Sequence, residues 1–539
     1  MTRRFVTTAT AAIGALLITS ATQAAGGDAR LVDAARNRDV TSARKLVRIV
    51  DVNAAPVDGA TALHWAAHWD DLELAKVLLA AKADPNRAND YGVTPLWLAC
   101  TNASAPMVKL LLAAGANVNA HTTNDESALM EASRTGSADV VRSLLAAKAD
   151  PNVADKYRGQ TAIMWAIAEG HVDVVRALLD AGADVHARTK PDLAVATPKS
   201  RGGSTPLIFA AREGNLALVK LLVEKGARVN DRPADEGSTP LLVATVRGHV
   251  DVAVWLLDQG ADPNVKAAGF TPLHWAVGVW DSLLTHDTQL EEGELARIRG
   301  IATEPERARL ISALLAHGAN IEERVVGAIP HFGGDATGAN EGQRVIEFGA
   351  TPYLIAAMSG NAPVMRQLAA AGADTKARGD AAAAKADMMR RGSNAVTALL
   401  AAAGQGHVIS MSTVPESEHL QAVITALELG ADINETDRRG LTALHSAAYV
   451  GFDQIIKYLV EHGANVNAAD VRGRTPLDVA ESDLFLGSGF TRPETAALLR
   501  KLGGHKGTCE IPKDDPLGYV YCSTEGVRDG AGKDLKAAR

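Results

Sequence analysis

The chain is poor in the residues that build large cores and covalent frameworks. Aromatic residues occupy 4% of its 539 positions, and cysteine occurs 3 times. So few cysteines exclude a disulfide-dense scaffold, and no Cys-x-x-Cys pair supports a zinc ribbon or haem attachment. So few aromatics argue against one large core and favour many small Ala and Leu contacts. Charge of one sign is also lacking: the formal net charge is only −8, which excludes nonspecific nucleic-acid binding as the main activity. No Gly-x-Ser-x-Gly elbow, phosphate loop or dinucleotide fingerprint falls in a strand–turn–helix context. What is present is a folding composition, 47% hydrophobic and 22% charged.

The first residues read as an export signal. Arg3 and Arg4 precede an Ala-rich apolar run from Phe5 to Ile18, and small residues follow around Thr22-Gln23-Ala24. A positive start, a short apolar segment and a small-residue exit are the parts of a secretory signal, here residues 1–24. The run is short for a bilayer span, an uncleaved anchor being the alternative, and no later stretch is long and apolar enough to cross one. No cysteine near the exit supports a lipoprotein anchor. Signal removal takes away two arginines and no acid, leaving a more acidic chain. The expectation is an exported, soluble protein, periplasmic or secreted.

One phrase recurs along the rest of the chain about every 33 residues: Thr61-Ala-Leu-His-Trp-Ala-Ala67, Thr94-Pro-Leu-Trp-Leu-Ala-Cys100, Ser127-Ala-Leu-Met-Glu-Ala-Ser133 and Thr161-Ala-Ile-Met-Trp-Ala-Ile167. It returns at Thr205, Thr239, Thr271, Thr351, Thr397, Thr442 and Thr475. Thr caps a helix and Pro suits its first turn, so each phrase starts a short helix. A second helix follows with an apolar stripe, as in Val108, Leu111 and Leu112 or Val219, Leu221 and Leu222. It ends at Gly-Ala-Asp/Asn-x-Asn, as in Gly115-Ala-Asn-Val-Asn119, where Gly takes the left-handed conformation. One such pair cannot bury its own apolar face, so stacking is obligatory.

These residues closely resemble the ankyrin repeat over roughly 28–503. The resemblance implies an all-α solenoid of about twelve helix–turn–helix units, the first a degenerate cap at Arg30–Asn53, with β-hairpin fingers projecting sideways. Departures are local. Lys82 and Lys148 stand where Gly ends the second helix, at a cost on the order of 1 kcal/mol. Fingers are lengthened at 186–204, 322–350 and 376–396, and helix-to-helix turns at 278–303 and 407–415. Thr303-Glu-Pro-Glu306 has capping-box spacing, so a helix restarts there. Pro493–Arg500 reads as a terminal helix after the last unit. A tail of different composition, 504–539, carries Cys509 and Cys522, which would close a small hairpin by a disulfide in an oxidising compartment, free thiols being the alternative. Cys100 sits at an Ala position and reads as a buried spectator.

No residue set commits to catalysis, a metal or a cofactor. His64, His274 and His445 share one phrase position, where a helix-start histidine satisfies backbone groups. His505 with the two tail cysteines has irregular spacing for zinc. His331, Asp335, Glu341 and Glu347 could furnish acid–base groups but read as ordinary loop polar residues. The resemblance implies instead a protein partner held on one concave face, lined by finger tips and first-helix ends. Those positions are Tyr91 and Tyr157 on fingers, with Asp58, Asp90, Lys156 and Arg158 beside them. At first-helix ends they are His68, Trp69, Asn102, Arg134, Glu169, Arg212, Arg247, Trp280 and Tyr449. For Trp69 and Trp280, packing beneath a loop is the competing role; Trp65, Trp165 and Trp275 read as interlayer core. The expectation is a monomeric, non-catalytic binding module without nucleic acid. The rivals are an enzyme built from the 278–350 inserts and a secreted effector binding a host protein.

Overall fold

The computed structural model describes residues 28–56, 58–190, 202–233, 239–267, 269–278, 300–325, 349–379, 395–404, 414–481, 491–510 and 521–523. The chain divides into two units, one running to Arg228 and one from Val229. In the first, helices pair as Arg30–Arg36 with Val40–Leu46, Ala62–His68 with Leu72–Ala80, Pro95–Thr101 with Ala105–Ala113, Ala128–Thr135 with Ala138–Ala146, Ala162–Ala168 with Val172–Asp180, and Pro206–Glu213 with Leu216–Glu224. First helices pack on first helices and second on second, giving two layers. Helices this short are unstable alone, so packing holds them.

The local causes are those the phrase predicts. Thr94 Oγ1 accepts the Trp97 N–H at 3.3 Å, with Pro95 in the first turn. The paired alanines, such as Ala66 and Ala67, are fully buried and let first helices approach closely. On the second helices Val108 and Leu111 are buried, while Leu112 lies half-buried at the edge of the stripe. Lys82 and Lys148 take φ of 70°, the left-handed conformation that Gly115 adopts at 90°.

An asparagine ladder couples one repeat to the next. The Asn53, Asn86, Asn119 and Asn152 amides each accept a backbone N–H from the following repeat, from Asp84, Asn117, Asp150 and Asp184 respectively. Each also donates to the carbonyl that ends the following second helix, as Asn152 does to Gly182 at 3.1 Å and Asn86 to Gly115 at 3.0 Å. A second ladder joins the finger tips. Asp90 N–H donates to the Asp58 carbonyl (3.1 Å), Thr123 to Tyr91 (3.0 Å), Lys156 to Asn124 (2.9 Å) and Lys190 to Arg158 (2.7 Å). The fingers are tight turns rather than extended hairpins. Among the described residues, those of the first unit form isolated bridges such as His121 with Ser127 and Ala154 with Thr161.

The second unit repeats the plan with Pro240–Val246 and Val250–Asp258, Pro272–Val277 and Glu304–Ala316, Pro352–Met358 and Ala362–Ala370, Ala398–Ala402 and Glu416–Glu428, Ala443–Val450 and Asp453–Glu461, and Pro476–Glu481 and Pro493–Lys501. Pro493–Lys501 is therefore the second helix of the last repeat, not an appendage after it. It packs on Pro476–Glu481 across a third lengthened turn. At each long turn the second helix reaches back to the end of the first. Buried Arg307 donates to the Ala276 and Gly278 carbonyls at 2.8 and 2.7 Å, His419 Nδ1 lies 3.0 Å from the Ala402 carbonyl, and Arg492 N–H donates to Ala480 at 2.8 Å. The predicted restart is present: Thr303 caps Glu304–Ala316, accepting the Glu306 N–H at 3.4 Å.

Lengthened fingers are closed at their necks by backbone bonds. Thr189 pairs with Gly203 and Ser204, Val325 with Gly349 and Ala350, and Gly379 with Val396. Glu322 stands in for the ladder asparagine, its carboxylate accepting the Asp374 N–H at 2.7 Å, and along the lengthened fingers arginines add further bonds. Arg324 donates to the Gly349 and Arg378 carbonyls at 2.8 Å, and Arg378 donates to Thr436 at 2.7 Å. At the far end Asn467 accepts the His505 N–H at 2.9 Å, so the tail enters on the last rung of the ladder. Thr508–Glu510 then pairs antiparallel with Tyr521–Ser523, placing Cys509 directly opposite Cys522.

Candidate partner-binding face

The shared histidine position is structural. His64 Nδ1 accepts the Thr61 N–H at 3.0 Å, and its Nε2 faces the Val93 carbonyl at 3.0 Å, which fixes the neutral tautomer with the proton on Nε2. His274 bonds Thr271 and the Glu323 carbonyl in the same way, and His445 bonds Thr442 and the Arg474 carbonyl. Burial lowers all three pKa values, to about 4 for His64 and His274. Each histidine caps its helix and grips the finger of the next repeat. Cys100 is fully buried, and burial pushes its thiol pKa far up.

First-helix surfaces repeat one pairing in the first unit. In three of its phrases the fifth residue lies against the eighth, one turn on. Trp65 meets His68 edge to face at 5.6 Å, Glu131 holds Arg134 at 2.5 Å, and the Arg212 guanidinium stands 4.2 Å from the Phe209 ring centre. Trp65 is buried, as expected for a core residue, whereas Trp165 is only half-buried. The Glu131 bond holds the Arg134 pKa above its usual value, and burial lowers that of His68. Burial likewise raises the Glu126 pKa beside Asp155 and Glu131.

Trp69 is 40% exposed and firmly held. Its indole N–H donates to the Arg36 carbonyl at 3.1 Å, its ring stacks on Trp65 at 6.3 Å, and Arg38 lies 5.9 Å from the ring centre. Tyr91 and Tyr157 are 51% and 45% exposed at their finger tips. The Asn89 side chain accepts the Tyr91 N–H at 3.0 Å, and buried Asp155 accepts those of Tyr157 and Arg158 at 3.1 and 2.7 Å. These turns make the tips rigid platforms. Lys156 Nζ stands 5.9 Å from the Tyr157 ring.

The remaining predicted positions are placed as follows. Asn102 is exposed, but its amide donates to the Ala67 and His68 carbonyls at 3.0 and 2.8 Å, so it also ties two repeats together. Glu169 is exposed at the end of Ala162–Ala168, and Arg212 bonds Glu213 at 3.1 Å. In the second unit Arg247 ends Pro240–Val246, and Tyr449 is half-buried, its carbonyl accepting from Arg492. Trp280 and the acid–base candidates His331, Asp335, Glu341 and Glu347 lie outside the described residues. Arg36 and Arg38 belong to this surface and were not predicted, nor was buried Glu131, which holds Arg134. The signal for Glu131 was its place at the fifth phrase position, where the repeats beginning at Thr61 and Thr161 carry Trp. Among the described residues no cluster of three or more His, Cys, Asp or Glu side chains could hold a metal.

Comparison with known proteins agrees with this architecture. The family model described as ankyrin repeats (3 copies) matches residues 31–122, 105–189, 193–267 and 411–499, more than half of the chain. The protein belongs to the ankyrin-repeat family. The stretch left unmatched holds the insert-bearing repeats of the second unit. A solved structure, the crystal structure of the human ASB11 ankyrin repeat domain, matches with 28% sequence identity and a TM-score of 0.36, covering 43% of this chain and 98% of that one. No curated protein matches the chain. Ankyrin repeats generally mediate protein–protein interaction and are typically non-catalytic. No helix among the described residues is long and apolar enough to cross a membrane.

Proposed function

We propose that the protein is an exported, non-catalytic, monomeric module that binds a protein partner on the face carrying its finger tips and first-helix ends. One observation carries this reading. Of the five large hydrophobic side chains exposed among the described residues, Trp69, Tyr91 and Tyr157 fall on predicted binding positions of the first unit. Tyr and Trp on rigid supports are the residues that most often dominate interface energy, because ordering them costs little entropy. The test is capture from an envelope fraction by the mature chain and by the triple variant Trp69→Ala, Tyr91→Ala, Tyr157→Ala. A protein retained by the first and lost by the second, with both baits equally helical by circular dichroism, supports the reading. Equal retention by both contradicts it.

The export reading rests on Arg3, Arg4 and the run Phe5–Ile18. N-terminal sequencing of protein from the envelope should find Ala25 first; an N-terminus at Met1 contradicts cleavage. The tail reading rests on the register that sets Cys509 against Cys522, a pairing whose Cα spacing suits a disulfide. Alkylation of the denatured, unreduced protein should label one thiol, that of Cys100, and three after reduction.

A further inference from the structure

We infer that the finger-tip row of the first unit is a docking strip for an extended peptide segment whose basic and acidic residues are segregated into two blocks. The inference rests on the binding-module reading above and names the chemistry of the partner. Its basis is the order of charges along a row made continuous by backbone bonds. Each tip donates to its predecessor: Asp90 to Asp58, Thr123 to Tyr91, Lys156 to Asn124, and Lys190 to Arg158. The first two tips present Asp58 and Asp90, and the last two present Lys156, Arg158 and Lys190. The middle tip adds a further carboxylate, Asp125, which lies 3.4 Å from the His121 ring. The tip carboxylates Asp58, Asp90 and Asp125 thus lie on the first three tips of the row, and the basic side chains lie on the last two.

Each end also carries one exposed aromatic face, Tyr91 beside the acids and Tyr157 beside the bases. A Lys or Arg of the partner can pair with Asp90 and lie on the Tyr91 ring at once. Tyr91 and Tyr157 are two repeats apart. At about 8–10 Å per packed helix step this is roughly 16–20 Å, which an extended chain at ~3.3 Å per residue spans in about five or six residues. A nucleic acid fits less well, because its phosphates would gain from the basic end and be repelled by the acidic one. A uniformly basic or acidic segment would be repelled at one end in the same way.

Fluorescence anisotropy on the full chain tests the inference with two labelled peptides of equal composition. One has four lysines, a six-residue Gly-Ser spacer and four glutamates; the other alternates Lys and Glu around the same spacer. The segregated peptide should bind at least ~10-fold more tightly at 50 mM NaCl and lose that margin at 300 mM. The double variant Lys156→Glu, Lys190→Glu should abolish the margin and bind an all-lysine peptide instead. Both residues join the ladder through backbone N–H groups, so the fold is retained. Equal affinity for the two peptides, or tighter binding of an oligothymidylate, overturns the inference. That result leaves the binding-module reading to its own test by capture.

Discussion

Lys82 and Lys148 isolate the cost of a backbone conformation. Both hold φ of 70° where sister repeats have Gly, and a Cβ at the equivalent Gly115 and Gly182 would meet nothing within 4 Å. The cost is therefore conformational and not a clash. Lys82→Gly and Lys148→Gly should each raise stability by about 0.5–1 kcal/mol, read from urea unfolding, after the added freedom of Gly in the unfolded chain is counted. The capping histidines set a pH response. His64, His274 and His445 are held neutral in the fold, with pKa values below the ~6.5 of an unfolded chain. The unfolded chain then binds more protons between about pH 6.5 and 4, so stability is present above 6.5 and is lost as pH falls towards 4. Lowering pH from 7.5 to 5 should lower the urea midpoint, and His64→Gln should lessen the drop. An unchanged drop in that variant would show that other groups set the response.

At the scale of elements, most of the helix pairs were legible because Thr-Pro-Leu and Gly-Ala-Asp/Asn-x-Asn mark the two ends of each repeat. Pro493–Lys501 was misread because residues 482–490 break the spacing that would have tied it to Thr475. The Asn ladder was visible as a pattern, but its role is not local: Asn152 acts on Asp184 and Gly182, residues of another repeat. Asn152→Ala should cost about 1–3 kcal/mol, since it leaves a donor and an acceptor at the joint without that partner. At the next joint His186 holds the slot, and its ring makes no such pair among the described residues. Arg307 was invisible as a cap until the fold brought it to Ala276 and Gly278. Arg307→Ala should cost about 2–3 kcal/mol, measured by thermal or urea unfolding. The closed neck at Val325 and Ala350 predicts that replacing 326–348 by a short Gly-Ser link leaves the unfolding midpoint unchanged.

At the scale of the molecule, the candidate face was legible only in part. Trp69, Tyr91 and Tyr157 stand exposed as the repeat geometry predicts. Asn102 also serves the stack, through the carbonyls of Ala67 and His68, and Arg134 is held within its own helix by the carboxylate of Glu131. Sequence marks the positions that face outward. It does not mark which of their polar groups are already satisfied by a neighbouring repeat, because those partners lie about 35 residues away. The binding account therefore rests most on the three aromatics. The measurement that tests it most directly is the affinity of the mature chain for its captured partner, by titration calorimetry, beside the variant Trp69→Ala, Tyr91→Ala, Tyr157→Ala. The account predicts a loss of at least ~100-fold with the unfolding midpoint unchanged. An affinity within about twofold of the parent would contradict it.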